Sequence, residues 1–337
     1  MTDLTETAIE EYADRARRVE EAVAVRIAGQ PDLIRQTLVG MLAGGHILLE
    51  GVPGLGKTEL VKSFGAAIGI QFARVQFTPD LMPADIVGTQ VLEDDERGHR
   101  QFVYRPGPVF TNLLLADEIN RATPKTQAAL LEAMQERQVT VAGETRKLPE
   151  PFLVLATQNP IELEGTYPLP EAQLDRFMFK VGVESPSADV LEEILRRTTS
   201  GEALEVPRVA DKETILDMIE FTPRIPMAKH LIRYVAELVE ATHPEGNTAP
   251  SPIKRYVRFG ASPRGGQAIV MAAKAAALLD GRLHVSGEDV RWAAPSALRH
   301  RLVLGYEATA EGVRADVLVR EVIQSISEPR SQIRGAP

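Results

Sequence analysis

The feature that most constrains this chain is the run Gly51-Val52-Pro53-Gly54-Leu55-Gly56-Lys57-Thr58, a complete G-x-x-x-x-G-K-[ST] phosphate-binding loop. Its flanks supply the context that such a loop needs. The apolar run His46-Ile47-Leu48-Leu49-Glu50 reads as a buried strand, and Glu59 to Ile68 reads as the helix that follows. Glycines lacking a Cβ let successive N–H groups point at phosphate oxygens, and the helix opening at Lys57 adds its positive dipole end. Lys57 has the reach for β- and γ-phosphates, and the Thr58 hydroxyl suits Mg²⁺. Gly51, Pro53, Gly54, Gly56, Lys57, Thr58 and Glu59 are therefore the candidate nucleotide-binding residues. The loop announces a nucleoside triphosphate and leaves open how its energy is used.

Apolar strand candidates follow at 46–50, 71–77, 112–117, 152–157 and 177–183, separated by helical or irregular stretches. Strands alternating with helices predict a parallel sheet covered by helices. Two stretches break the spacing and read as projecting β-hairpins. In the first, Gly88 to Val91 and Gln101 to Tyr104 flank the polar turn Glu93 to Arg100, with the acidic run Glu93 to Glu96 at its tip. In the second, Gln138 to Val141 and Thr145 to Leu148 flank Gly143-Glu144. Ahead of the sheet, residues 5–28 predict an amphipathic helix ending at Gly29, and Pro31 opens a second helix to Leu42. Beyond about residue 186 the pattern predicts helices only, at 187–199, 211–220, 227–242, 263–279, 286–299 and 314–326. Pro244 to Pro252 reads as a loop. The resulting division is N-terminal helices over 1–44, an α/β core over 45–186, a connecting helical segment over 187–225 and an α-helical domain over 226–330.

Composition narrows the function classes. Lys and Arg total 38 against 47 Asp and Glu, a formal charge of −9 that disfavours nucleic acid as a partner. Zero cysteines exclude disulfides and thiolate chemistry, and the six histidines show no metal-ligand spacing. The N-terminus is acidic and polar where a secretion signal needs an apolar core, and the helix at 265–279 is too short and too interrupted by Lys274 to span a bilayer. The expectation is a cytoplasmic protein with no membrane insertion. His46, Trp292 and Tyr306 are expected to serve packing, the latter two in the helical domain's core.

The second chemical element is Leu113-Leu114-Leu115-Ala116-Asp117-Glu118, an apolar strand delivering two carboxylates to the sheet edge where the phosphate loop also lies. Phosphoryl transfer needs a metal bridging phosphate oxygens and a group that orients the attacking water. Asp117 suits the first task and Glu118 the second. Asn159, in Ala156-Thr157-Gln158-Asn159-Pro160, offers an uncharged amide to the γ-phosphate or the water. Arg176 and Arg264, in Leu174-Asp175-Arg176-Phe177 and Ala261-Ser262-Pro263-Arg264-Gly265, are candidates for offsetting transition-state charge. Spacing alone allows either arginine to be a surface ion pair instead.

Together these residues resemble the AAA+ ATPases and, within them, the MoxR group. The resemblance runs over about residues 25–325. It is carried by Leu115 to Ala122, Pro124-Lys125, Gln127 to Met134, Gln76 to Leu81, Leu169 to Phe177 and Gly260 to Gly265. It implies a P-loop AAA+ core with a parallel five-stranded sheet and β-hairpin insertions, followed by a smaller all-α lid. It also implies ATP/ADP and Mg²⁺ as ligands, Lys57 and Thr58 as Walker A residues, and Asp117 and Glu118 as Walker B residues. Asn159 takes the sensor 1 position and Arg264 the sensor 2 position. Arg176 is the arginine finger entering a neighbour's site, Arg121 is an alternative trans arginine, and Gln76 is a residue that restrains Glu118. A hexameric homo-oligomer acting on a client, with a von Willebrand factor A domain in the partner, is the family expectation. The segment Asn247 to Arg258, ahead of the sensor 2 motif, departs from the group's pattern. Two other readings stay open. A helicase-related nucleic-acid motor would use Arg97, Arg100 and Arg105 at the first hairpin, although no basic-aromatic strand-binding surface accompanies them. A nucleotide-gated scaffold would bind ATP with little turnover.

Overall fold

Parallel pairing gathers the five apolar runs into one sheet. The computed structural model describes residues 6–51, 54, 56–94, 99–159, 165–183, 185–199 and 204–328. Pro53, Arg97 and Pro160, and the acidic turn beyond Asp94, lie outside the described residues. In chain order the core elements are α1 (Glu6–Ala24), α2 (Pro31–Leu42), β1 (Ile47–Glu50), α3 (Lys57–Ile68), β2 (Phe72–Gln76), α4 (Pro83–Val87), β3 (Gly88–Asp94), β4 (Arg100–Pro106), β5 (Leu113–Asp117), α5 (Pro124–Glu136), β6 (Gln138–Val141), β7 (Glu144–Lys147), β8 (Leu153–Gln158), α6 (Glu171–Leu174) and β9 (Phe179–Gly182). The sheet order is β2-β5-β8-β1-β9, every pair parallel.

Because side chains alternate along a strand, each central strand feeds both faces of the sheet. Ile47, Leu49, Leu113, Leu115, Leu153 and Leu155 join one apolar cluster with α1, α2, α3 and the C-terminal helices. Leu48, Leu114, Ala116, Val154 and Ala156 join a second cluster with α5. Parallel strands also end together. The carboxyl ends of β1, β2, β5 and β8 therefore deliver Gly51, Gln76, Asp117 and Asn159 to one edge. At the other edge His46 is buried, accepting at Nδ1 from Val154 N–H (3.0 Å) and placing Nε2 3.0 Å from the Met134 carbonyl. It is a structural histidine, and burial depresses its pKa to about 4.

Both hairpins are present. β3 and β4 pair antiparallel over Gly88–Asp94 and Arg100–Pro106, and β6 and β7 turn through Ala142 (φ 53°) and Gly143 (φ 83°). The first helix is shorter than its pattern. It stops at Ala24, Arg26 and Ile27 both donate to the Val23 carbonyl, and β-branched Val25 and Ile27 leave the helix before Gly29 (φ 69°).

The C-terminal part is helical, with α7 (Ala188–Thr199), α8 (Lys212–Phe221), α9 (Lys229–Glu240), α10 (Ser251–Tyr256), α11 (Pro263–Leu279), α12 (Gly287–Leu298), α13 (Tyr306–Ala310) and α14 (Ala315–Ser325). One addition breaks the all-helical expectation. β10 (Val257–Phe259) pairs antiparallel with β11 (Val303–Leu304), where extended, β-branched Val257 faces Leu304 and Phe259 faces Val303. The divergent segment before Arg264 is thus α10, anchored by fully buried Ile253, followed by this strand. Trp292 packs edge-on against Phe179 at 6.3 Å, seating α12 on the sheet. Tyr306 does not pack a core. It is 87% exposed, because only Ala308 of its short helix turns inward.

Candidate nucleotide site

Gly54 and Gly56 hold φ of 86° and 76°, a region that side-chain-bearing residues rarely adopt, so the loop's curl depends on glycine at both places. A Cβ on Gly54 would meet open space, so backbone conformation alone selects glycine there. Lys57 donates to the Gly51 carbonyl at 2.5 Å. Burial holds its ammonium below the usual lysine range, an effect opposed by Asp117, Glu118 and Glu50. The Glu59 side chain is occupied by ion pairs to Arg26 and Lys62, both at 3.0 Å. Ile27 lies beside the loop, 4.0 Å from where a Gly56 Cβ would stand, so the stretch after α1 borders the phosphate loop.

Across the loop, Asp117 accepts from Thr157 Oγ1 at 2.6 Å and from Arg74 Nη2 at 2.7 Å. The next residue, Glu118, is left-handed (φ 56°, ψ 51°), a costly conformation for a non-glycine residue and one that clusters at functional sites. Two side chains fix that turn. Glu118 N–H donates to Thr157 Oγ1 at 2.8 Å, and buried Gln127 donates to the Ile119 and Ala122 carbonyls. The Glu118 carboxylate is held on one oxygen, Oε2, by Gln76 Nε2 (2.7 Å) and Arg121 Nε (3.0 Å). Asn159 is buried one residue past β8, where Gln158 accepts from Gly51 N–H at 3.3 Å. Thr58, Asp117, Glu118, Asn159 and Lys57 thus share one sheet edge. A hydroxyl and one carboxylate match the sparse protein donor set of Mg²⁺, which takes its remaining ligands from phosphate and water.

The structure does not bring Arg176 and Arg264 to this edge. Met178 N–H donates to the His46 carbonyl (2.8 Å) and Phe179 pairs with Ile47, so Arg176 stands at the amino ends of β1 and β9. Arg264 joins it there, 3.7 Å from Asp175. The length of a strand, about 10 Å or more, separates them from the phosphate loop of their own chain. Arg121, by contrast, is engaged beside Glu118 in its own chain. A cavity of about 420 Å³ opens at the arginine edge, lined in part by His46, Arg137, Arg176, Arg264 and Arg301.

Arg301, Asp175, Arg74 and Thr157 support the two edges through their contacts, and no local motif singles out these roles. Arg301 is 2% exposed in its side chain and donates to Asp175 Oδ1 at 2.7 Å. It also donates to the carbonyls of Asp175, Phe177, Met178 and Ala297. Burial lowers its pKa, against the pull of Asp175. No motif marks a partner 126 positions away.

Phosphate loop, paired carboxylates, five-stranded parallel sheet and helical lid define the class, an AAA-type ATPase domain followed by its lid. Residues 46–179 match the ATPase family associated with various cellular activities (AAA), and residues 251–322 match the AAA lid domain. The chain is 45% identical to chaperone MoxR1 of Mycobacterium tuberculosis, covering 92% of this chain and 81% of the relative. It is 33% identical to protein MoxR of Methylorubrum extorquens, covering 95% and 96%. A crystal structure from Cytophaga hutchinsonii, of a protein inferred to be an ATPase, superposes with a TM-score of 0.90 at 38% identity, covering 96% of this chain and 98% of that one. The chain belongs to the MoxR family of AAA+ ATPases. Among the described residues no helix is long and apolar enough to cross a membrane.

Proposed function

We propose that this chain hydrolyses ATP, with Mg²⁺, at sites completed between neighbouring copies of itself, and uses the cycle to remodel or mature a partner protein. The observation that carries the reading is the placement of the two half-sites. Lys57, Thr58, Asp117 and Glu118 stand at one end of the sheet, and Arg176 and Arg264 at the other. In a head-to-tail assembly each end of one copy faces the opposite end of the next. On this reading Arg176 and Arg264 both act in trans, on the triphosphate of the neighbour. Thr58 and Asp117 would hold Mg²⁺, which would supply charge neutralisation to the transferring phosphoryl group. Lys57 and the loop N–H groups bind the phosphates, Glu118 takes the proton of the attacking water, and Asn159 orients that water.

The assembly we expect from the family is a hexamer in the cytoplasm, with a partner bearing a von Willebrand factor A domain. The negative net charge supports a protein client over nucleic acid. One observation favours the alternative of a nucleotide-gated scaffold. The Gln76 and Arg121 contacts engage a Glu118 oxygen that catalysis requires, which suits a chain that turns over slowly until a partner moves β2 or the Glu118 turn. Turnover per chain, measured in Mg²⁺ across a concentration series spanning assembly, tests the reading. It should rise steeply with assembly, and a flat profile would count against sites shared between copies.

A further inference from the structure

Four arginines line the cavity at the amino ends of β1 and β9, and they are not equivalent. Arg301 is consumed by Asp175 and four main-chain carbonyls, so it serves the fold. Arg264 faces the second oxygen of the same Asp175 at 3.7 Å. Arg137 and Arg176 each contact a neutral acceptor instead. Arg137 Nη2 donates to the Gly44 carbonyl at 2.6 Å, and Arg176 Nη1 donates to the Leu131 carbonyl at 3.0 Å. A guanidinium carries five N–H donors, and one carbonyl satisfies neither its charge nor most of its donors. Among the described residues Asp175 is the one carboxylate lining this cavity, so the cations around it outnumber the anions and set up an attractive field for phosphate.

Arg137 is also placed deliberately by the backbone. It is left-handed (φ 51°), capping α5 through its N–H to the Ala133 carbonyl, while its own carbonyl accepts from Leu148 N–H at the base of the second hairpin. Gly44, itself at φ 68°, gives the guanidinium room. A Cβ there would sit 3.3 Å from Arg137 Nη2. A strained, doubly anchored arginine aimed into an electropositive cavity is the signature of a group held ready for an anion.

We infer that Arg137 is a third trans guanidinium, contacting the triphosphate that the neighbouring copy holds on its phosphate loop, beside Arg176 and Arg264. The inference rests on the shared-site reading above, and intersubunit complementation separates the two. Arg137→Ala in the full chain should lower turnover of the assembled protein by about 10²-fold, the scale of losing one donor to a developing oxyanion. ATP binding by the unassembled chain should stay unchanged, because its own Lys57 is intact. Equimolar mixing with Glu118→Gln, itself inactive but carrying Arg137, should restore about one quarter of wild-type turnover, since about one interface in four then pairs an intact Glu118 with an intact Arg137. Recovery is decisive because a residue acting within its own chain cannot be supplied by the neighbour. Should Arg137→Ala fold poorly, Arg137→Lys keeps the charge, loses the fork geometry and carries the same test. Mixing Arg176→Ala with Glu118→Gln is the control. If that pair recovers and the Arg137 pair does not, Arg137 acts in its own chain and the inference is overturned. If neither recovers, the shared-site reading fails, and the role of Arg137 falls with it.

Discussion

Replacing Arg301 with Met removes the clasp between the lid and the sheet while roughly preserving side-chain length. Arg301 leaves behind Asp175, the carbonyls of Asp175, Phe177 and Met178, and that of Ala297. Removing one partner of a buried ion pair typically costs about 3–5 kcal/mol. Asp175 keeps 19% exposure and a 2.8 Å hydrogen bond from Ser262 Oγ, so water and Ser262 offset part of the loss. The lower end applies, and the expected destabilisation is about 3 kcal/mol. Urea unfolding followed by tryptophan fluorescence reads it directly, because Trp292 packs against Phe179 at the same joint. The midpoint should fall with little change in slope. Assembly-dependent turnover should fall as well, since Asp175 is the neighbour of Arg176 and a contact of Arg264, whereas ATP binding by the free chain should persist. A loss below about 1 kcal/mol would refute the claim that Arg301 clasps the two parts.

Gln76→Ala releases one of two restraints on Glu118 and should raise turnover of the unstimulated protein by up to about tenfold, the value of one hydrogen bond to a carboxylate. Unchanged or lower turnover would remove Gln76 as a restraint. His46 stays neutral in the fold with a pKa of about 4, whereas in the unfolded chain it takes a proton near pH 6.5. Its contribution is therefore complete above pH 6.5, declines as pH falls, and levels off below about pH 4. Urea midpoints should show about 2 kcal/mol lost from this residue between pH 7 and 5. Buried His300 shifts in the same direction, and His46→Gln should flatten part of the slope. Chelating Mg²⁺, or Thr58→Ala, should abolish turnover while leaving nucleotide binding measurable by fluorescence competition.

The sheet was legible because each strand is a short apolar run bounded by polar or glycine-rich sequence, and both hairpins declared themselves by polar turns. The gathering of Asp117 and Asn159 at one edge was legible too, since they close apolar strands that a parallel sheet must end together. Other features depend on tertiary layout that local pattern does not carry. Arg176 and Arg264 were visible as residue types, but the edge of the sheet they occupy follows from β9 pairing beside β1. Arg301 sits in the charged run Arg299-His300-Arg301, where nothing local distinguishes a fully buried guanidinium from a surface one. Tyr306 illustrates the converse, a large aromatic that an apolar count assigns to a core and that the short helix at Gly305 turns outward. The pairing of Val257 with Leu304 joins residues too distant for periodicity to report.

Sharing of each site between copies is tested most directly by adding Glu118→Gln chains, in excess, to wild-type chains held too dilute to assemble alone. The added chains cannot hydrolyse ATP but present Arg176 and Arg264. Turnover per wild-type chain should climb to a plateau as they are added, and Glu118→Gln chains that also carry Arg176→Ala should fail to raise it. Turnover that stays flat under addition of the first variant would contradict a site completed by the neighbour.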